Sequence, residues 1–203
     1  MNYKNQLVLS GAIDDVGEPE RITSGESYRL GLEIDADIRV LKELSIRPNL
    51  AISRNRNVDF NATIDNEIRN LGETPISNSP DLIIANALVF KPTSNFELSF
   101  LSKYVGKQYL GNLGGVVSDL EKIDRYFTSD LNIVYEIKTK KIFKSIILSG
   151  LINNIFNYEY VNRGYYGTFE DDFSVPGTII TDDFAGFYPQ ATINFLLGAT
   201  LKF

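Results

Sequence analysis

The chain has 203 residues, a net charge of −6, a pI of about 4.8 and 12% aromatic residues, all of them Tyr or Phe. It contains no cysteine and no histidine, which excludes disulfides, thiolate nucleophiles and zinc–thiolate sites and removes the commonest general base and metal ligand. The acidic balance argues against nucleic acid, no apolar run reaches the roughly 18 residues of a membrane helix, and 43% hydrophobic residues exclude a disordered chain.

Any membrane span must therefore be built from strands, whose signature is alternation. Asn2 to Gly11 reads as a weak first strand around Leu7-Val8-Leu9. From Tyr28 to Val40 the alternation is clearest. Tyr28, Leu30, Leu32, Ile34, Ala36, Ile38 and Val40 share one face, and Arg29, Glu33, Asp35, Asp37 and Arg39 share the other. Leu44 to Ser53 repeats the pattern, with Pro48 expected to mark a bulge or weak point because it cannot donate to a ladder. Further strands are predicted over Asp81 to Lys91, Asn95 to Tyr109, Tyr126 to Lys138 and Phe143 to Phe156. The last one ends the chain, with Phe195, Leu197, Ala199, Leu201 and Phe203 on one face. The expected fold is all-β, an antiparallel up-and-down meander of about eight strands.

The connections alternate in length. Short ones lie at Leu41-Lys42-Glu43, Pro92-Thr93-Ser94 and Thr139 to Ile142. Long ones run from Ala12 to Ser27, Arg54 to Pro80, Leu110 to Arg125 and Asn157 to Gln190. Structureless loops of this length argue against a compact soluble domain, whereas outer-membrane barrels have short turns on one side and long loops on the other. The pattern predicts part of a transmembrane barrel, with the C-terminus on the short-turn side.

Four stretches carry a family resemblance. They are Tyr3-Lys4-Asn5-Gln6-Leu7-Val8-Leu9, Ser102 to Leu110, Asn153-Asn154-Ile155-Phe156-Asn157, and Asn194-Phe195-Leu196-Leu197-Gly198. In order and spacing they resemble the last third of a TonB-dependent outer-membrane receptor, in the style of Bacteroidetes-type bacteria. Gly198, Leu201 and Phe203 resemble the C-terminal recognition signal by which barrels are assembled. The resemblance implies a receptor of the outer membrane of a Gram-negative bacterium. It would take up a bulky ligand, a ferric siderophore first, with cobalamin or an oligosaccharide as alternatives. It implies as partners outer-membrane lipid, the barrel assembly machinery, the TonB complex and the small-molecule or metal-chelate ligand. Residues 1–203 would be the C-terminal barrel portion, without plug domain or signal peptide, since Met1 is followed by Asn2-Tyr3-Lys4-Asn5-Gln6 and no apolar stretch.

Ligand chemistry is expected in the aromatic loop from Asn157 to Gln190, with Tyr165, Tyr166, Phe169, Asp171 and Asp172 as binding candidates. The same aromatics also suit an interfacial girdle and the same carboxylates a solvated surface. No catalytic residue, metal site or cofactor is expected. Asp171 and Asp172 are adjacent, and nothing sets them across a cleft as glycoside hydrolysis needs. Asp59-Phe60-Asn61-Ala62-Thr63 lacks the glycine and distal glutamate of an EF-hand loop. The rival architecture is a soluble β-sandwich that binds carbohydrate through its aromatic loop.

Overall fold

The computed structural model describes residues 1–13, 16–139 and 144–203. In chain order its strands are β1 (Asn2–Lys4), β2 (Leu7–Ile13), β3 (Pro19–Thr23), β4 (Glu26–Asp35), β5 (Ile38–Arg39) and β6 (Leu44–Val58). Next come β7 (Asn61–Ile64), β8 (Glu67–Asn70), β9 (Thr74–Pro75), β10 (Leu82–Thr93), β11 (Phe96–Val105) and β12 (Gln108–Tyr109). After a 3-10 turn at Asp119–Glu121 follow β13 (Lys122–Ile123), β14 (Tyr126–Lys138), β15 (Ser145–Asn153), β16 (Val161–Asp171), β17 (Ile180–Pro189) and β18 (Asn194–Lys202).

Eight strands form one antiparallel wall in the order β1-β4-β6-β10-β11-β14-β15-β18, with β5 and β9 as short attachments to β6. This is the expected meander. Among the described residues β1 and β18 do not pair with each other, so the sheet is open.

Register decides which residues share a face, because directly opposed residues project to the same side. Leu32 opposes Ile52, Ile52 opposes Leu82, and Ile84 sits between Leu50 and Tyr104. Farther along, Leu98 opposes Ile133, Tyr135 opposes Leu148, Ile146 opposes Leu201 and Ile152 opposes Phe195. The separate apolar stripes of the sequence thus join into one band from β4 to β18, with Asn86 and Ser102, themselves opposed, as polar members. The other face carries Arg29, Glu33, Arg47, Asn49, Lys103, Asp130, Asn132 and Glu136. Among the described residues nothing covers the band: Leu30, Phe195 and Leu197 are 69%, 74% and 83% exposed. A sandwich would need a second sheet packed across that face; none is present among the described residues, so the rival architecture is not favoured.

The buried apolar core lies elsewhere. Val8, Phe60, Ala62, Ile64 and Leu113 form it, with Ile22, Leu71, Val117 and Tyr166 packed against them. All of these residues but Val8, which comes from the expected first strand, belong to a long connection. These connections are therefore not structureless, contrary to the sequence reading. They fold into hairpins β2–β3, β7–β8 and β16–β17, and β2 and β16 meet side by side to give a four-stranded sheet β17-β16-β2-β3. The long connections make a folded cap at one end of the wall, and the short turns mark the other end.

Three strand expectations change in the structure. The strand from Asn2 splits at Asn5, which adopts φ 54° and donates to Gly25 O, so that Leu7–Ile13 leaves the wall for the cap. The strand from Tyr28 stops at Asp35 and resumes only as Ile38–Arg39. Pro48 explains this. Ala36 N donates to Pro48 O at 3.1 Å, but Pro48 has no N–H to return the bond. The weak point therefore falls on the neighbouring strand, while β6 itself runs without a bulge through Pro48. The strand from Asn95 ends at Val105 and resumes at Gln108–Tyr109. Lys140 to Ile142 of the third short turn, Phe143 at the start of the next strand, and Asp14 and Asp15 of the first long connection lie outside the described residues.

Candidate ligand site in the loop cap

Buried polar side chains tie the cap together. Asn112, fully buried, donates from Nδ2 to Leu9 O at 2.9 Å, and its Oδ1 accepts from Ser77 N at 3.0 Å and from Asn57 Nδ2 at 3.3 Å. One side chain thus links three connections. The Thr168 hydroxyl donates to Gly11 O at 2.9 Å and fastens β16 to β2. The β7–β8 turn docks on the β16–β17 hairpin: Asp65 N donates to Thr181 Oγ1 at 2.6 Å and Asn66 N to Glu170 Oε2 at 3.0 Å.

Among the described residues Glu121 is the one fully buried carboxyl of the cap. It accepts from Leu113 N at 2.8 Å and from Gly115 N, closing the loop around Gly114 and Gly115. Burial pushes its pKa above the usual carboxylate range, and the two backbone donors pull against that shift. The Gly114-Gly115 pair takes φ 75° and 76° here, so it serves this turn.

The candidate residues of the aromatic loop divide between structure and surface. Tyr165 is 53% exposed and lies across Gly186, its direct cross-strand partner, with Phe184 and Tyr188 beside its ring. Phe169 is half-buried and tilted against Phe184, with centroids 6.5 Å apart. Tyr166 points into the cap core, where burial pushes its phenol up. Asp171 is buried and accepts from Phe173 N and Ser174 N, both at 3.0 Å, which builds the hairpin turn. Asp172 is exposed. Tyr165, Phe169 and Asp172 are thus accessible to a ligand, whereas Tyr166 and Asp171 hold the hairpin.

The pocket that these elements shape was not legible in the sequence. A cavity of about 360 Å³ opens where the cap meets the polar face, lined by Tyr126, Tyr158, Tyr160 and Phe187 with Lys122 and Arg125 at its rim. Tyr126 and Tyr160 stack with centroids 4.6 Å apart, and Tyr158 lies nearly parallel to Tyr160 at 6.4 Å. Tyr158 and Tyr160 stand in the aromatic loop, but their partner Tyr126 lies in β14. The Asn153–Asn157 motif builds this wall of the pocket. Asn154 takes φ 49°, its Nδ2 donates to Tyr158 O at 2.8 Å, and its Oδ1 accepts from Tyr158 N at 2.9 Å. Asn157 Oδ1 accepts from Ile193 N at 2.9 Å. The motif's asparagines are thus clamps that start β18.

Gly198, Leu201 and Phe203 lie along the open edge, Gly198 at the middle of β18 and the other two toward its short-turn end. Gly198 opposes Ser149, and a Cβ on it would come within 2.6 Å of Ser149 Oγ. Leu201 opposes Ile146, and Phe203 is 74% exposed beyond the strand.

A scan against protein-family models finds no match, and a search of curated proteins finds none either. Solved structures do match. The ferric-catecholate import receptor Fiu of E. coli K12, in its closed form, superposes with a TM-score of 0.62 at 14% identity, over 98% of this chain and 23% of that one. The siderophore receptor PiuA of Acinetobacter baumannii gives 0.59 at 13% identity, over 98% of this chain and 25% of that one. The copper transporter OprC gives 0.64 at 17% identity, over 100% and 27%. The chain therefore spans about a quarter of the length of these receptors. At such identities the likeness shows fold: this chain is folded as a piece of the barrel of TonB-dependent receptors.

Proposed function

We propose that the chain is the C-terminal part of the barrel of a TonB-dependent receptor, of Bacteroidetes type, in the outer membrane of a Gram-negative bacterium. The observation that carries this reading is the wall itself. One face is an uncovered apolar band, the other is polar, long connections gather at one end and short turns at the other. Of the solved structures that match, Fiu is a ferric-catecholate import receptor, PiuA a siderophore receptor and OprC a copper transporter.

In this reading the cap faces outward and receives a bulky ligand, a ferric siderophore first, with cobalamin or an oligosaccharide as the other classes. Tyr165, Phe169 and Asp172 on the hairpin and the tyrosine-lined pocket below it supply aromatic faces and polar rims for capture. Tyr166, Asp171, Asn112 and Glu121 hold that surface in shape. Release inward belongs to a plug outside this chain, driven by the TonB complex. Gly198, Leu201 and Phe203 present the closing strand to the barrel assembly machinery.

The test is uptake by a Gram-negative strain lacking its own ferric-siderophore receptors that expresses the whole protein to which the chain belongs. Energy-dependent accumulation of a ferric siderophore is expected, and removal of Phe203 should lower surface abundance and uptake together. No accumulation of any ferric chelate, cobalamin or oligosaccharide by a surface-located protein would contradict the transport reading. Unchanged abundance without Phe203 would contradict the assembly role.

A further inference from the structure

Three segments cross between wall and cap at one place. Asn5 lies between β1 and β2, Ser24 and Gly25 between β3 and β4, and Asp59 and Phe60 between β6 and β7. Asn5, Gly25 and Asp59 each take a left-handed backbone, with φ 54°, 65° and 54°, and turn the chain from one part to the other. Between the crossings lies a cavity of about 200 Å³, lined chiefly by the polar residues Asn5, Thr23, Ser24, Asp59 and Asn61. Ser24 is 5% exposed, and its hydroxyl makes no hydrogen bond. Such a buried hydroxyl costs free energy unless something bonds it. The side chains of Asn5, Thr23 and Asp59 make no hydrogen bond or ion pair among the described residues either. All three are exposed, which leaves an entry path. Asn61 is already committed: its Nδ2 donates to Asp59 O at 3.3 Å, and its Oδ1 accepts from Asn70 Nδ2 at 3.1 Å. The free groups are thus one carboxylate, one amide and two hydroxyls, and no residue lining the cavity is basic.

We propose that this cavity binds a calcium ion, which ties the three crossings together. Calcium takes about six to eight oxygen ligands in flexible geometry. The Asp59 carboxylate, the Asn5 carbonyl and the Ser24 and Thr23 hydroxyls supply four side chains, and water supplies the rest. Magnesium fits less well, because it demands a near-octahedral shell that donors from three separate segments do not set. A single charged ligand makes the site weak, with a Kd of about 1 mM, as in extracellular calcium modules. None of this requires the wall to face lipid.

The test is hydrogen exchange of the full chain, folded in vesicles, in calcium chloride, in magnesium chloride at equal ionic strength, and in a chelator. Calcium at about 5 mM should slow exchange in β2, β3 and β7 about sixfold relative to the chelator, the ratio expected for a ligand at five times its Kd. Exchange in β11 and β14 should stay unchanged. Asp59→Asn removes the charge, keeps the size of the side chain and tolerates the left-handed backbone, so it should abolish the response. Ser24→Ala should weaken the response and leave exchange in the chelator unchanged or slower, because it removes a hydroxyl that the protein does not bond. Slow exchange of β11 and β14 shows that each variant is folded. A response of equal size to magnesium, or one that survives undiminished in Asp59→Asn or in Ser24→Ala, would mean charge screening of an acidic protein and overturns the proposal. No response to calcium overturns it as well and leaves the cavity to water.

Discussion

Arginine in place of Ile133 should destabilise the folded protein in lipid by about 2–4 kcal/mol, the cost of a basic side chain at mid-depth on a lipid-facing strand. Ile133 lies in the centre of β14, between Leu98 on β11 and Gly150 on β15. All three sit on the apolar band, so the guanidinium has no polar neighbour to accept its five donors. Arginine at the adjacent Asn132 projects to the opposite face, where Ser99 is the direct partner. That change should cost little. Urea unfolding in vesicles, read as the folded fraction by gel mobility of unheated samples, compares the two variants. Equal losses would mean that the two faces of β14 meet the same solvent.

The second large effect is expected in the cap. Phe60 is 1% exposed and central to the cluster of Val8, Ala62, Ile64 and Leu113. Truncation to alanine removes a buried ring and leaves a cavity, which costs about 3–5 kcal/mol. The cap has few other apolar contacts to absorb that loss, because the wall contributes none of the buried cluster. Phe60→Ala should therefore melt the cap locally while the wall stays folded. Hydrogen exchange should speed up at the amides of β7, β8 and the 110–113 segment and stay slow in β10, β11 and β14. Ligand capture should fall with it. Exchange that rises uniformly through the wall would show that cap and wall form one cooperative unit.

Much of the wall was legible because period-two alternation survives in single strands: Leu131, Ile133, Tyr135 and Ile137 sit on one face of β14 in sequence and in space alike. The alternation of short and long connections also carried through. What alternation could not reveal was which strand suffers from Pro48. The answer depends on register, since the missing N–H faces Ala36 on the next strand. Nor could it show that the long connections are folded. Their core draws Phe60, Ile64 and Leu113 from two separate connections and Val8 from the expected first strand, with no shared local periodicity to announce it. The candidate site was half legible. The aromatic loop does supply Tyr158 and Tyr160 to the pocket, but Tyr126 enters from a strand 34 positions earlier than its stacking partner. Asp171 looked like a ligand because a carboxylate in a loop carries no label. Only its bonds to Phe173 N and Ser174 N identify it as a turn former.

In a barrel wall the apolar band faces lipid and the opposite face does not. The absence of native cysteine makes this directly measurable. Single cysteines are placed in turn at positions 131 to 136 of β14, and the proteins, folded in vesicles, are treated with a water-soluble maleimide. Labelling should alternate, fast at Asn132, Val134 and Glu136 and slow at Leu131, Ile133 and Tyr135. Uniform labelling along the strand, or fast labelling at Ile133 with protection at Asn132, would contradict the barrel reading and the transport function built on it.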